Sequence, residues 1–455
     1  MIFYIYLKGV TTEYRQRGDF MNLAILGFIM IVVFMILIMS RKMSALVALI
    51  VVPVVFGLIG GFYSSLGKDI LEGLTTVAPT GIMLIFAILY FGVMIDAGLF
   101  NPIISIIMKG VKGDPVKITI GTVALASIVA LDGDGTTTFI ITVTAMMPLY
   151  KKMGMNLYIL STLALLSIGV MNMTPWGGPT ARAISSLQLT TEEVFTPLIP
   201  VMVAGILFAF SAAYVLGLRE RKRIGIQNHL SLTLDEMNNA NGTNEEDKEL
   251  LRPKLTIINA ILTIALLSAL ITSFLPIPVL FMLGFAVALI INYPHLNIQS
   301  EIIKRHAGNV LAVVSLVFAS GVFTGVMSGT KMVDAMASSL VNIVPDAMGN
   351  HFALITAILS MPFTYFMAND PFYYGILPIL AESAHQFGIS KAMMARASIL
   401  GQPLHVLSPL YAAGYLLVGM LGIDYGTNQK IVMKWAIGSS LFMILVAGLI
   451  GIIAF

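Results

Sequence analysis

The sequence predicts an all-α polytopic membrane protein built as two inverted repeats, each with five transmembrane helices and one re-entrant hairpin. Three observations carry the prediction. Of 455 residues, 58% are hydrophobic and 11% charged, against roughly 25% charged in soluble domains. Apolar runs recur along the whole length, separated by short polar breaks. Landmarks in one half also return in the other at a nearly constant offset. Gly92-Val93-Met94 matches Gly325-Val326-Met327, Gly154 matches Gly388, and Thr174-Pro175 matches Ser408-Pro409.

Residues 1–21 read as a weak amphipathic tail rather than a cleavable signal, because Arg15, Arg17 and Asp19 follow a short apolar start. Met21 opens the first strong run, so the tail is expected to be an extension upstream of the native start. The first repeat, 22–218, holds apolar runs over Asn22–Ser40, Met43–Gly61 and Val77–Asp96. Next come two runs of about a dozen residues, Lys117–Ala130 and Phe139–Tyr150, each short of the roughly 20 helical residues that cross a bilayer. Between them lies Leu131-Asp132-Gly133-Asp134-Gly135-Thr136-Thr137-Thr138, which reads as the tip of a hairpin that enters the membrane and returns. A run over Asn156–Val170 breaks at Asn172-Met173-Thr174-Pro175-Trp176-Gly177-Gly178-Pro179, where proline and glycine free backbone groups. Leu198–Leu218 completes the repeat.

Residues 219–254 are polar throughout and read as a cytoplasmic linker. The second repeat, 255–455, runs through Leu255–Phe274, Ile277–Tyr293 and Asn309–Gly329. A second hairpin follows, Phe352–Ala368 and Phe372–Phe387 around Asn369-Asp370-Pro371. Ala392–His405, a break at Leu407-Ser408-Pro409-Leu410, Tyr411–Gly422 and Ile431–Phe455 end the chain. Five crossings is an odd number, so the halves must lie in opposite orientations. With the linker in the cytoplasm, most of the 26 Lys and Arg fall on that side, as the positive-inside rule requires. The first hairpin then opens from the cytoplasm and the second from outside.

Two tips and two breaks related in this way should meet near the midplane. The candidate site residues are Asp132, Asp134, Thr136 and Thr137 at the first tip, and Asn369 and Asp370 at the second. Asn172, Thr174, Gly177 and Gly178 lie at the first break, with Gln402, His405 and Ser408 at the second. Intramembrane carboxylates are costly and normally face a cavity, a partner or a substrate. Asp132, Asp134, Asp370 and His405 are therefore the candidates for carrying a proton. Neutral amides, hydroxyls and freed N–H groups suit carboxylate oxygens. Each has a structural reading too. The tip aspartates and Asp370 could cap helices, Thr174 and Ser408 could satisfy backbone beside proline, and His405 could be a hydrogen-bonded core residue. Arg182 could bind a carboxylate or cap an outer loop. Lys331 with Asp334 reads as an interfacial ion pair, Asp96 as a helix-end residue and Trp176 as a packing aromatic. The absence of cysteine excludes disulfides, cysteine–zinc sites and iron–sulfur clusters.

The motif Leu131-Asp-Gly-Asp-Gly-Thr-Thr-Thr-Phe139, together with Asn172-Met-Thr-Pro-Trp-Gly-Gly-Pro-Thr-Ala-Arg182, resembles the citrate–divalent metal:proton symporter family (CitMHS) of the ion transporter superfamily. The likeness runs from Met21 to the C-terminus. It implies proton-coupled symport of citrate complexed with a divalent metal, by a homodimer with a scaffold domain and a moving, elevator-type transport domain. It implies a multi-pass protein of the cell membrane with no cofactor, its metal travelling as part of the substrate, and no nucleic-acid partner. In sodium-coupled relatives the tips carry Ser-Asn-Thr; here Asp132-Gly-Asp134-Gly-Thr136 and Asn369-Asp370-Pro371 stand instead, which favours protons or a metal-bearing substrate over sodium. Free citrate carries about three negative charges at neutral pH and would be repelled by acidic tips, whereas a chelated divalent ion leaves about one. The competing readings are a transporter of another organic anion (gluconate or a dicarboxylate) and a cation:proton antiporter. An intramembrane aspartyl protease fits poorly, because Asp132 and Asp134 are two apart on a glycine turn with Leu131 before them.

Overall fold

The computed structural model describes residues 22–226, 249–271, 275–341 and 349–454, apart from single positions 39, 41, 112 and 368. The tail 1–21 and the linker segment 227–248 lie outside the described residues, which form helices and turns and contain no strand. Helices α1 (Asn22–Ile38) and α2 (Ala45–Ile59) lead to the long α3 (Leu66–Asp96) and the short α4 (Asn101–Val111). Next are two hairpin arms, α5 (Pro115–Val129) and α6 (Gly135–Met153), then a helix interrupted between α7 (Leu157–Met171) and α8 (Gly178–Leu187), then the long α9 (Thr191–Ile224). The same order returns. Helices α10 (Thr256–Ile271) and α11 (Ile277–Asn292) precede the long α12 (Leu296–Gly329) and the short α13 (Met332–Val341). Hairpin arms α14 (Phe352–Met367) and α15 (Leu377–His385) follow. The second interrupted helix comprises α16 (Lys391–Ile399), α17 (Gln402–His405) and α18 (Ala412–Leu421), and α19 (Tyr425–Leu449) ends the series. Six helical segments among the described residues are long and apolar enough to cross a bilayer.

Local sequence sets these boundaries. Asp114 accepts from Val116 N at 3.0 Å and Asn156 from Tyr158 N at 2.9 Å, so each caps the helix it precedes. Thr190 and Glu193 form a reciprocal capping box at the start of α9. The structure also adds features that apolar runs did not announce. Helix α3 begins at Leu66 and α12 at Leu296, each carrying charged residues out of the apolar stretch. Helix α9 continues through Arg219, Arg221, Lys222 and Arg223, which therefore sit on a helix end.

At the centre of one half of the packing, α3 and α12 run antiparallel. Gly73 lies against Gly321 and Gly325, so closely that a Cβ at Gly73 would fall on the Gly321 carbonyl. Small residues let the backbones approach where lipid offers no hydrophobic drive between helices. Helix α2 packs on α12, and its counterpart α11 packs on α3. The other half gathers the two hairpins around the interrupted helices, α9 and α19, with α5 and α19 each packed against α9.

The hairpins open at opposite ends of α9. Arg221, near its C-terminus, holds Asp114 with two hydrogen bonds of 3.0 and 2.5 Å, and Arg223 donates to the Gly154 carbonyl at 2.6 Å. These bonds tie the mouth of the first hairpin to the linker side. At the mouth of the second, Phe352 stacks on Phe387 with centroids 5.6 Å apart, so α14 and α15 fold back on each other. Glu382 and Lys391 lie there with Gln188, beside the start of α9. Asp114→Ala removes the α5 cap and the partner of Arg221, and is expected to cost about 1 kcal/mol for the cap alone. A lower melting temperature of the detergent-solubilised protein checks this.

Candidate functional site

The first tip is shaped by its own side chains. A 3₁₀ turn over Ala130–Asp132 ends in Gly133, whose φ of 78° belongs to the left-handed region that glycine enters freely. Asp132 Oδ1 accepts from Asp134 N at 2.9 Å. Asp134 caps α6 with both oxygens: Oδ1 accepts from Thr136 N at 3.2 Å, and Oδ2 from Thr137 N at 2.8 Å and Thr137 Oγ1 at 2.7 Å. Trp176 packs beneath Gly133, and its indole N–H donates to the Leu131 carbonyl at 2.7 Å. Counted with its 3₁₀ turn, the first arm is 18 residues, a near-spanning length. Its tip nevertheless stops against the middle of the interrupted helix, which its length alone would not have required.

At the first break, Asn172 closes α7 and Gly177 N donates to the Thr174 carbonyl at 2.8 Å, turning the chain into α8. No side chain caps α8, so its first N–H groups and partial positive charge are left for the cavity beside Gly178. One turn later Arg182 Nε donates to Asp370 Oδ1 at 2.5 Å, while Nη1 donates back to the Gly178 carbonyl at 3.0 Å. The first break is thus joined to the second tip by an ion pair about one-fifth exposed on each side. Beyond Asp370 the chain passes through a π-helical turn, Pro371–Ile376, into α15. At the second break, His405 Nδ1 lies 2.8 Å from the Thr364 carbonyl, Gln402 Nε2 donates to Asn369 Oδ1 and to the Tyr373 hydroxyl, and Ser408 Oγ donates to the Tyr365 carbonyl at 2.6 Å.

Two cavities flank the first tip. One, of about 350 Å³, is lined at the tips by Asp134, Thr136, Asn369 and Asp370, and at the breaks by Asn172, Gly178, Arg182 and His405, with Tyr411 over Gly135. The other, of about 300 Å³, shares Asp134, Gly178 and Arg182, adds Asp132 and Thr137, and faces α3 and α12. Nine of the thirteen expected residues therefore border these two spaces. Thr174, Gly177, Gln402 and Ser408 stand behind the lining; Ser408 and Gln402 tie the second break to the second hairpin. Thr174 Oγ1 and Gln402 Oε1 are buried without a hydrogen-bond partner among the described residues. Arg182 belongs in the site more firmly than its sequence reading allowed. The usable signal was an arginine one turn into a helix that starts at an intramembrane break. Among the described residues, no three His, Asp or Glu side chains converge as a metal site.

The family model for citrate transporters, CitMHS, matches residues 26–401. The chain belongs to that family. It is 59% identical to a citrate transporter of Bacillus subtilis (strain 168), over 95% of this chain and 100% of that one. It is 48% identical to the Mg(2+)/citrate complex secondary transporter of the same organism, over 95% of this chain and 99% of the relative. Among solved structures it shares its fold with the YdaH transporter of Alcanivorax borkumensis, at a TM-score of 0.54 and 13% identity, covering 86% of this chain and 88% of that one. MtrF of Neisseria gonorrhoeae superposes at 0.57 and 12% identity, covering 86% and 84%. A member of the citrate transporter family with helices of this length is a multi-pass membrane protein and a transporter, not an enzyme.

Proposed function

We propose that the chain is a secondary transporter moving citrate, complexed with a divalent metal ion, in symport with protons. The observation that carries the reading is the polar cavity where both hairpin tips and both helix breaks meet around Arg182 and Asp370. The names of the two Bacillus relatives supply the substrate. Chemically, Arg182, the uncapped start of α8 and the amides of Asn172 and Asn369 suit citrate carboxylates. Asp132, Asp134 and Asp370 outnumber Arg182, so they oppose a free trianion far more than a metal-neutralised one. Citrate itself holds the metal. The proton carriers are proposed among Asp132, Asp134, Asp370 and His405, with Asp132 foremost, because three accepted hydrogen bonds hold Asp134 as the cap of α6.

The same proposal takes 22–218 and 255–455 as inverted repeats in a homodimer, joined by a cytoplasmic linker over 219–254. The repeated element order, the antiparallel α3 and α12, and the hairpin mouths at opposite ends of α9 support the inversion. Helices α1–α3 and α10–α12 would be the scaffold, and the hairpins with the interrupted helices the elevator. The second cavity, lying between these bodies, supports a sliding boundary there.

The test is citrate uptake by proteoliposomes under an imposed pH gradient, with EDTA or with Mg²⁺, Ca²⁺ or Zn²⁺ added singly. Uptake is expected only with a metal, and to collapse when the gradient is dissipated. Uptake indifferent to EDTA would overturn the metal-complex substrate, and uptake indifferent to the gradient would overturn proton symport.

A further inference from the structure

The second cavity brings the first hairpin tip opposite a titratable pair that the substrate site does not use. One wall carries Asp132, Asp134 and Thr137; the facing wall, where α3 and α12 cross, carries Gly92, Ile95, His306 and Asn309. His306 Nε2 lies 2.8 Å from Asp96 Oδ2, and Arg305 Nε lies 3.7 Å from the other oxygen of Asp96. The imidazole rests on the α3 backbone at Gly92, where any Cβ would run into the ring. Both side chains are shielded, Asp96 8% and His306 15% exposed. An acid and an imidazole are expensive at a helix crossing that apolar residues would fill, so a function should repay their presence. The next residue after Asp96 places the pair: the Ala97 carbonyl accepts from Arg252 N at 3.0 Å, at the end of the linker. The pair therefore stands on the linker side of the site.

We propose that His306, oriented by Asp96, is a stationary proton acceptor through which the tip discharges the coupled proton to the cytoplasm. The inference rests on the proton-symport reading. With Nε2–H donated to Asp96, Nδ1 keeps its lone pair and has no hydrogen-bond partner among the described residues. A proton leaves a neutral tip carboxyl, Asp132 in the first instance, which becomes a carboxylate. Water in the cavity relays it to His306 Nδ1, forming an imidazolium beside Asp96, and the imidazolium releases it to the cytoplasmic side. Nothing else is consumed. The other charges around the pair are Arg305 on its own helix, Arg252 stacked on Tyr293 at the linker end, and Arg182 across the cavity. Because His306 belongs to α12, it can act only while the tip stands opposite it. That restricts discharge to one side of the membrane, which is what coupling needs.

The test compares two modes in the full-length protein. Exchange of metal–citrate at equal pH needs no net proton release, whereas uptake driven by a pH gradient does. In H306Q, exchange is expected to stay within about twofold while gradient-driven uptake falls about tenfold or more. D96N keeps the shape of the pair and removes its charge. Its gradient-driven uptake is expected to fall, by less than that of H306Q, with exchange again within about twofold. Exchange and net uptake falling together in both variants would show a structural role and overturn the proposal. Gradient-driven uptake of wild-type size in both variants would overturn it while leaving proton symport intact. A wild-type protein indifferent to the gradient would remove symport and the role of His306 together.

Discussion

Neutralising either partner of the Arg182–Asp370 pair, as R182M or D370N, is expected to reduce citrate uptake by about a hundredfold, and neutralising both is expected to restore stability but not uptake. The pair spans 188 positions of sequence and joins the first break to the second tip, so it does two things at once. Structurally, it neutralises two charges inside a membrane domain. Removing one partner of such a hydrogen-bonded pair leaves the other uncompensated, at a cost of about 2–5 kcal/mol; the one-fifth exposure of each side chain favours the lower end. The double variant leaves no orphaned charge, so its melting temperature should return towards wild type. Functionally, Arg182 is the one fixed positive charge among the described residues bordering the first cavity. A carboxylate there would compete with Asp370 for the guanidinium, and that exchange of partners is lost in every variant. Melting curves and proteoliposome uptake on the three variants separate the roles. A double variant that transports citrate at the wild-type rate would reduce the pair to a structural tie.

The general plan was legible because membrane constraints leave strong marks. An apolar run that stops at Asp-Gly-Asp-Gly cannot continue as an ordinary spanning helix, and Thr-Pro-Trp-Gly-Gly-Pro cannot be helical throughout, so tip and break announced themselves. The constant offset between halves was visible for the same reason, since its anchors are turns and breaks rather than interchangeable apolar residues. The short helices α4 and α13 left a weaker mark: ten or eleven residues of mixed character resemble loop when only long apolar runs are sought. The charged starts of α3 and α12 leave no apolar mark, because Lys68, Asp69 and Glu72, and then Glu301, Lys304 and Arg305, interrupt the signal. A helix that leaves the bilayer need not stop there.

The site was legible in its residues but not in its pairings. Asp370 reads as a tip carboxylate or a helix cap and Arg182 as a carboxylate ligand or an outer-loop cap, and nothing in the spacing says that the two meet. His306 lies just outside the apolar run beginning at Asn309, where a polar residue is unremarkable, although the fold brings it to the cavity beside the tip. His405 stands out because it falls within such a run. Asp132 and Asp134 could not be told apart from sequence, since both sit on one glycine turn. The hydrogen bonds separate them.

That separation predicts opposite outcomes for two isosteric substitutions. Asp134 accepts on both carboxylate oxygens, from two backbone N–H groups and the Thr137 hydroxyl. In D134N one of those positions becomes an NH₂ facing a donor, so the α6 cap is half lost, at about 1 kcal/mol, and the tip loosens. Exchange and gradient-driven uptake should therefore fall together, by about fivefold for a lost kcal/mol at a site that must hold its geometry. Asp132 accepts on Oδ1 only, from Asp134 N, and Oδ2 carries no hydrogen bond among the described residues. In D132N the amide oxygen keeps that bond and the NH₂ replaces the free oxygen, which imitates a carboxyl that never releases its proton. Exchange should survive within about threefold, while uptake should no longer respond to the pH gradient, the signature of a carrier locked in its protonated form. Both modes measured on both variants decide it. If D132N keeps full gradient-driven uptake, the coupled proton does not ride on Asp132, and Asp370 becomes the next carboxylate to test.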